Sequence, residues 1–258
     1  MRSGAFEEEH SPFLERQTRD LYQFLAGPMS ERRFGGIVAE WKDYLKLFRN
    51  AGTAKAVGEA SVCYLWSASA ARNIFAQIPN ARIIMILRDP VERAFSQHLH
   101  ARALGAVKGT FSEHLRAGLR QAGARFGVAH PFLELGLYSE QVARFRALFP
   151  ADQIRIFEYE EYRMRPQNVR ADIFRFLGVD PGFVPDLSVK ELEGHLTVPG
   201  VPRRLQRFVR PLVSRYRQPP RMTAEETELL KDYYREDTVK LSNMVDFDIR
   251  HWLSFPVQ

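Results

Sequence analysis

Residues 81–87, Ala-Arg-Ile-Ile-Met-Ile-Leu, carry five consecutive apolar side chains from Ile83 to Leu87 and run directly into Arg88, Asp89 and Pro90. An unbroken apolar run of this kind is the pattern of a strand covered on both faces, which belongs to parallel sheets flanked by helices. Asp89 is a natural N-cap and Pro90 suits the first helical turn, so a helix is expected to start there and to run on through Ser96. In a parallel open sheet, ligands gather beyond the carboxyl ends of the strands. Arg88 stands at such an end. Its forked, permanently charged guanidinium, set beside the N–H groups and dipole of a helix start, would make an anion-binding corner suited to a phosphate. On pattern alone a second reading stays open, in which Arg88 pairs with Glu92 or Glu59 and the Asp-Pro pair merely begins a helix.

The flanking segments alternate in the same way. Residues 55–61, Lys-Ala-Val-Gly-Glu-Ala-Ser, read as a short strand ending in Gly58 and Glu59, and residues 68–80 as a helix stopped at Pro79. The stretch 136–150 places Tyr138, Val142, Phe145 and Phe149 on one helical face, and 154–159 follows as a strand. Pro166 opens a further helix that runs through Ile173, Phe174 and Leu177 to a stop at Gly178. This order predicts an α/β fold with a parallel central sheet flanked by helices. With no internal repeat and no low-complexity tract, residues 1–258 read as one domain whose region from 185 to 258 is basic and helical. There Arg203, Arg204, Arg207, Arg210, Arg215 and Arg217 accompany apolar residues at helical spacing, which predicts a basic amphipathic helix bent at Pro211. Thr223 with Glu226 forms a capping-box pattern that starts a last helix through Leu229, Leu230, Tyr233 and Tyr234, and Trp252 is expected to pack the C-terminus down.

Composition narrows the functional classes. A chain of 258 residues with 45% hydrophobic composition can bury a full core. The 37 Lys and Arg against 31 Asp and Glu leave a net charge of +6, which favours an anionic ligand and nucleic acid only weakly, so no nucleic-acid partner is expected. Cys63 is the single cysteine, so an internal disulfide and a cysteine-based zinc site are both excluded. His98 and His100, two residues apart on a helix, point to different faces and do not form a metal pair, and no metal is expected. No apolar run is long enough to span a membrane, and the first ten residues are too polar for a signal peptide, so a reducing cytoplasm is expected. A P-loop kinase would need Gly-x-x-x-x-Gly-Lys-Ser/Thr, which the sequence lacks.

The segment 81–105 resembles the strand-loop-helix with which sulfotransferases dependent on 3′-phosphoadenosine 5′-phosphosulfate (PAPS) hold the 3′-phosphate of that cofactor. The resemblance extends to "GEASVCYL" (58–65), similar to a Glu-x-Ser/Thr segment of the bacterial and heparan-type branch, to the Gly-x-Tyr helix at 136–150, and to the Phe-Leu-Gly-Val ending within 173–181. Four segments in order across residues 55–181 are far more specific than any one of them. The resemblance implies a P-loop-like sulfotransferase fold and Arg88 and Ser96 as ligands of the 3′-phosphate. It also implies PAPS as sulfuryl donor, adenosine 3′,5′-bisphosphate as product, and a hydroxyl-bearing carbohydrate, lipid or small natural product as acceptor. "EEEHSPF" (7–13) is similar to the family's Lys-Glu-Pro-His-Phe-Phe segment, which implies Glu8 as catalytic base with His10 orienting it or the acceptor. Glu59 is the second carboxylate expected at the cleft, as alternate base or acceptor ligand. Tyr138 would edge the nucleotide or pack in the core, and Arg203 and Arg204 would clamp the nucleotide, attract an acidic acceptor or line a solvated helix face. The family's Pro-Lys-x-Gly-Thr-Thr loop, which cradles the 5′-phosphosulfate and supplies a lysine to the leaving oxygen, has no counterpart here. A strand, loop and helix of that kind take about 20 to 30 residues. Either the sequence lacks that N-terminal portion, or the chain is a degenerate nucleotide-binding module of the same fold.

Overall fold

The computed structural model describes residues 11–29, 38, 40–103, 106–120, 132–185 and 220–254. The chain divides into two compact units, Met1–Glu59 and Ala60–Gln258. In the first unit, helix α1 (Ser11–Ala26) buries Leu21 and Leu25, which lie four residues apart on one face. Helix α2 (Trp41–Tyr44) runs on into a 3₁₀ turn, Leu45–Phe48. Arg49 then donates to the carbonyls of Leu25, at 3.0 Å, and Gly27, and so occupies acceptors that the end of α1 leaves unpaired. The strand expected at 55–61 does not form: residues 56–61 carry no regular structure and are exposed. Val57 is the segment's only β-branched residue, and no described strand pairs with it.

The second unit holds the α/β core. In chain order it comprises α3 (Cys63–Trp66), α4 (Ala70–Gln77), β1 (Ile83–Leu87), α5 (Pro90–Ala103), α6 (Phe111–Arg120), α7 (Tyr138–Arg146), β2 (Ile154–Glu158), α8 (Tyr159–Met164), α9 (Pro166–Leu177) and α10 (Ala224–Ser242). Strands β1 and β2 pair in parallel, in register from Ile83 opposite Ile154 to Leu87 opposite Glu158. Met85 and Leu87 enter a core with Tyr138, Val142, Phe145, Phe149, Leu241, Ile249 and Trp252. The four residues expected on one face of α7 and its extension are therefore all buried. The other face of β1 departs from expectation, because Ile86 remains 43% exposed. Side chains alternate along a strand, and the described packing elements cover the face of Met85 and Leu87.

Local signals set the helix ends. Gly178 closes α9 at φ 73°, with its N–H on the Arg175 carbonyl and that of Val179 on Phe174, a left-handed cap that side chains adopt only with strain. Thr223 and Glu226 form the expected capping box, the threonine hydroxyl accepting from Glu226 N–H at 3.2 Å and the carboxylate from Thr223 N–H at 2.8 Å. Other ends are satisfied from a distance. Asp237 on α10 accepts from both the backbone N–H and the hydroxyl of Ser139, capping the start of α7. Arg144 on α7 donates to the carbonyls of Leu65 and Trp66 at the end of α3, at 3.1 and 3.0 Å. Trp252, 1% exposed, donates its indole N–H to Glu158 at 3.1 Å and packs the chain end against this core as expected. The basic helix expected around Pro211 lies outside the described residues.

Candidate functional site

The register of the two strands decides what meets at their carboxyl ends. With Leu87 opposite Glu158, the first residues beyond them, Arg88 and Tyr159, are brought side by side. The Arg88 guanidinium lies 5.2 Å from the centre of the Tyr159 ring, a cation–π contact. Its Nη2 is 3.5 Å from Glu92 Oε2 and its Nε is 3.9 Å from Glu160 Oε1. Both contacts are long for a charge-assisted bond, and the buried Nε makes no hydrogen bond with any described residue. The side chain is 29% exposed, so the fork stays accessible.

The backbone of Arg88 is held from the core. Tyr138, 4% exposed, donates its hydroxyl to the Arg88 carbonyl at 3.1 Å, and burial pushes its phenol up to about 12, so it remains a donor at any ordinary pH. Its ring faces Trp252 with centroids 6.3 Å apart. Tyr138 thus positions the arginine from beneath. The helix bearing it starts next to Gly136, where an added Cβ would meet the Tyr234 ring at 2.8 Å. Tyr234 in turn donates to the Leu133 carbonyl at 2.9 Å, and only glycine admits that approach.

Asp89 caps α5 as the sequence predicts, accepting from Val91 N–H at 2.8 Å and from Glu92 N–H. This corrects the expected source of anion binding. Pro90 has no N–H, Arg93 N–H bonds the Asp89 carbonyl at 2.8 Å, and the N–H groups of Val91 and Glu92 go to the Asp89 carboxylate. The donors of the helix start are already taken, and the guanidinium is what remains to meet an anion. Burial pushes the Asp89 carboxyl up to about 6, outweighing the two N–H donors, with Glu92 and Glu160 adding repulsion. Glu160 is also raised, first by burial.

Ser96 is half-buried on α5, one helical turn beyond Glu92. His98 is buried and His100 exposed, in keeping with their expected divergence. The partner of His98 is His114 on α6, Nδ1 to Nδ1 at 3.1 Å, and burial holds His98 down near 4. Glu59 is exposed in the first unit and bonds no described residue. Glu8, His10, Arg203 and Arg204 lie outside the described residues. Of the residues singled out from the sequence, the structure therefore joins Arg88 and Tyr138 directly, through the hydroxyl-to-carbonyl bond. Sequence reading missed Tyr159 and Glu160, whose signal was their position just past the second strand. Among the described residues no group of three or more His, Cys, Asp or Glu side chains is placed to hold a metal, and no helix is long and apolar enough to cross a membrane.

Comparison with known proteins points the same way. Residues 71–196 match the sulfotransferase domain family. The chain is 31% identical over 195 residues to bifunctional heparan sulfate N-deacetylase/N-sulfotransferase 1 of Xenopus laevis, an alignment covering 72% of this chain and 22% of that protein. It is 29% identical over 195 residues to the human form 3, again covering 72% and 22%. The chain thus spans about a fifth of the length of these relatives. A sulfotransferase crystal structure from Alicyclobacillus acidocaldarius superposes with a TM-score of 0.66 at 25% identity, covering 93% of this chain and 94% of that one. The domain match encloses β1, Arg88, α7 and β2, the likeness of fold runs nearly end to end, and on these grounds the chain belongs to the sulfotransferase family.

Proposed function

We propose that the chain transfers a sulfuryl group from PAPS to a hydroxyl or amine of a carbohydrate acceptor. The observation that carries this reading is the Arg88 fork, held at the strand ends by Tyr138 from below and Tyr159 at its side, accessible and short of hydrogen bonds. That is a fixed, charged donor awaiting a phosphate. A carbohydrate acceptor is supported by relatives whose names specify heparan sulfate N-sulfotransferase.

Sulfuryl transfer resembles phosphoryl transfer in its demands: alignment of donor and acceptor, removal of one proton, and neutralisation of charge on the leaving phosphate. PAPS supplies the activated sulfuryl group. Arg88 fixes the nucleotide through its 3′-phosphate, with the Ser96 hydroxyl on α5 as second donor. The proton of the acceptor goes to Glu8, oriented by His10, with Glu59 as the alternate carboxylate. Arg203 and Arg204 add positive charge for the nucleotide or an acidic acceptor.

Arg88→Ala should weaken adenosine 3′,5′-bisphosphate binding by about 2 to 3 kcal/mol, about 30- to 150-fold, while hardly changing adenosine 5′-monophosphate binding. Calorimetric titration with both nucleotides measures this, and an equal loss for the two would refute the assignment. A parallel sulfate-transfer assay distinguishes an enzyme from a module that binds without turnover.

A further inference from the structure

The Arg88 site is unusual in its charge balance. One guanidinium faces two carboxylates, Glu92 on α5 and Glu160 on α8, and a third, Asp89 at the junction of β1 and α5, is repelled by both of them. A phosphate arriving at Arg88 brings further negative charge among them, and each carboxylate has a different way to respond. Glu92 is 50% exposed and can turn into water. Asp89 is committed to the N–H groups of Val91 and Glu92, which favour its ionised form. Glu160 has only its own backbone N–H as a donor favouring the ionised form, and burial outweighs it. It is 28% exposed, its Oε1 stands 3.9 Å from Arg88 Nε, and its Oε2 is buried without a hydrogen-bond partner among the described residues.

We infer that Glu160 is a positioning residue for the phosphate, binding it as the neutral acid, so that capture of the nucleotide at Arg88 is coupled to uptake of one proton. The inference rests on the phosphate reading of Arg88. The proton comes from solvent and no other bond changes. The carboxyl O–H becomes a donor to a phosphate oxygen, which both removes a repulsion and satisfies the enclosed oxygen. The charged groups facing Glu160 are consistent with this. Arg88 opposes protonation, but a bound phosphate offsets its charge, while Glu158 on the preceding strand favours protonation and is itself engaged by His251 Nε2 at 2.8 Å. Arg163 on its own helix is a weaker influence than these. Burial already biases Glu160 toward the protonated form before any ligand arrives.

Calorimetric titration with adenosine 3′,5′-bisphosphate near pH 8, above the second phosphate ionisation at about 6, in two buffers of different ionisation heat, counts the protons taken up. Wild type should take up close to one proton per nucleotide, and its affinity should fall by up to about tenfold per pH unit above neutrality. Glu160→Gln, which keeps a donor without a titrating proton, should take up none and bind with an affinity that is flat over the same range. Asp89→Asn should leave the uptake intact. Equal uptake in wild type and Glu160→Gln, or loss of uptake in Asp89→Asn instead, would overturn the role of Glu160 while leaving Arg88 as the phosphate ligand. Binding by Arg88→Ala as tight as wild type would overturn the phosphate site itself.

Discussion

Replacing Asp89 by Asn tests the balance of burial against capping at the site. Asparagine is as good an N-cap as aspartate and keeps an acceptor for the Val91 N–H, so the substitution removes the charge and little else. In the folded protein burial pushes the Asp89 carboxyl from 3.8 up to about 6. An acid raised in this way holds its proton in the folded state at pH values where the unfolded chain has already lost it. Between about 4 and 6 the folded state therefore binds more protons, and its stability falls as pH rises through that window. At about 1.4 kcal/mol per unit, a rise of about two units amounts to about 3 kcal/mol, fully present as a loss above pH 7 and absent below pH 4. Urea denaturation of wild type and Asp89→Asn at several pH values from 3.5 to 7.5 measures it, since other titrating groups cancel in the difference. The variant should gain on wild type by about 3 kcal/mol across this range. A difference that stays flat, or that moves in favour of wild type as pH rises, would show that the cap and the helix dipole govern the carboxylate and that the burial argument is wrong.

Two further substitutions probe how the core presents Arg88. Gly136→Ala would drive a methyl group against the Tyr234 ring, and a loss of about 1 to 3 kcal/mol in urea denaturation is expected; a variant as stable as wild type would mean that the α10 contact yields freely. Tyr138→Phe keeps the buried ring but removes the donor to the Arg88 carbonyl. It should cost about 1 kcal/mol of stability and weaken adenosine 3′,5′-bisphosphate severalfold, and unchanged affinity would detach Tyr138 from the positioning of Arg88.

What was legible in the sequence has a common physical character. The Asp89 cap, the Pro166 start, the Gly178 stop and the Thr223–Glu226 box are each closed by hydrogen bonds within four or five residues, so the local string contains both partners. The helical spacing of Tyr138, Val142, Phe145 and Phe149 likewise follows from the chain's own periodicity. Strand 55–61 failed because a strand is not a local object: it needs a neighbour to receive its hydrogen bonds, and one valine at 57 does not specify one. The site divides along the same line. The place of Arg88 at the end of β1, ahead of the α5 start, could be read from the strand-to-helix pattern. That Glu160 faces Arg88, that Tyr138 holds its carbonyl, that Asp237 caps α7 and that His98 meets His114 depend on pairs 16 to 98 residues apart. Such pairs are chosen by the register of β1 on β2 and the packing of α10 across α7. Sequence spacing carries the periodicity of each element, whereas which elements meet, and at what offset, is settled by the collective burial of the core, and with it the charge that surrounds the arginine.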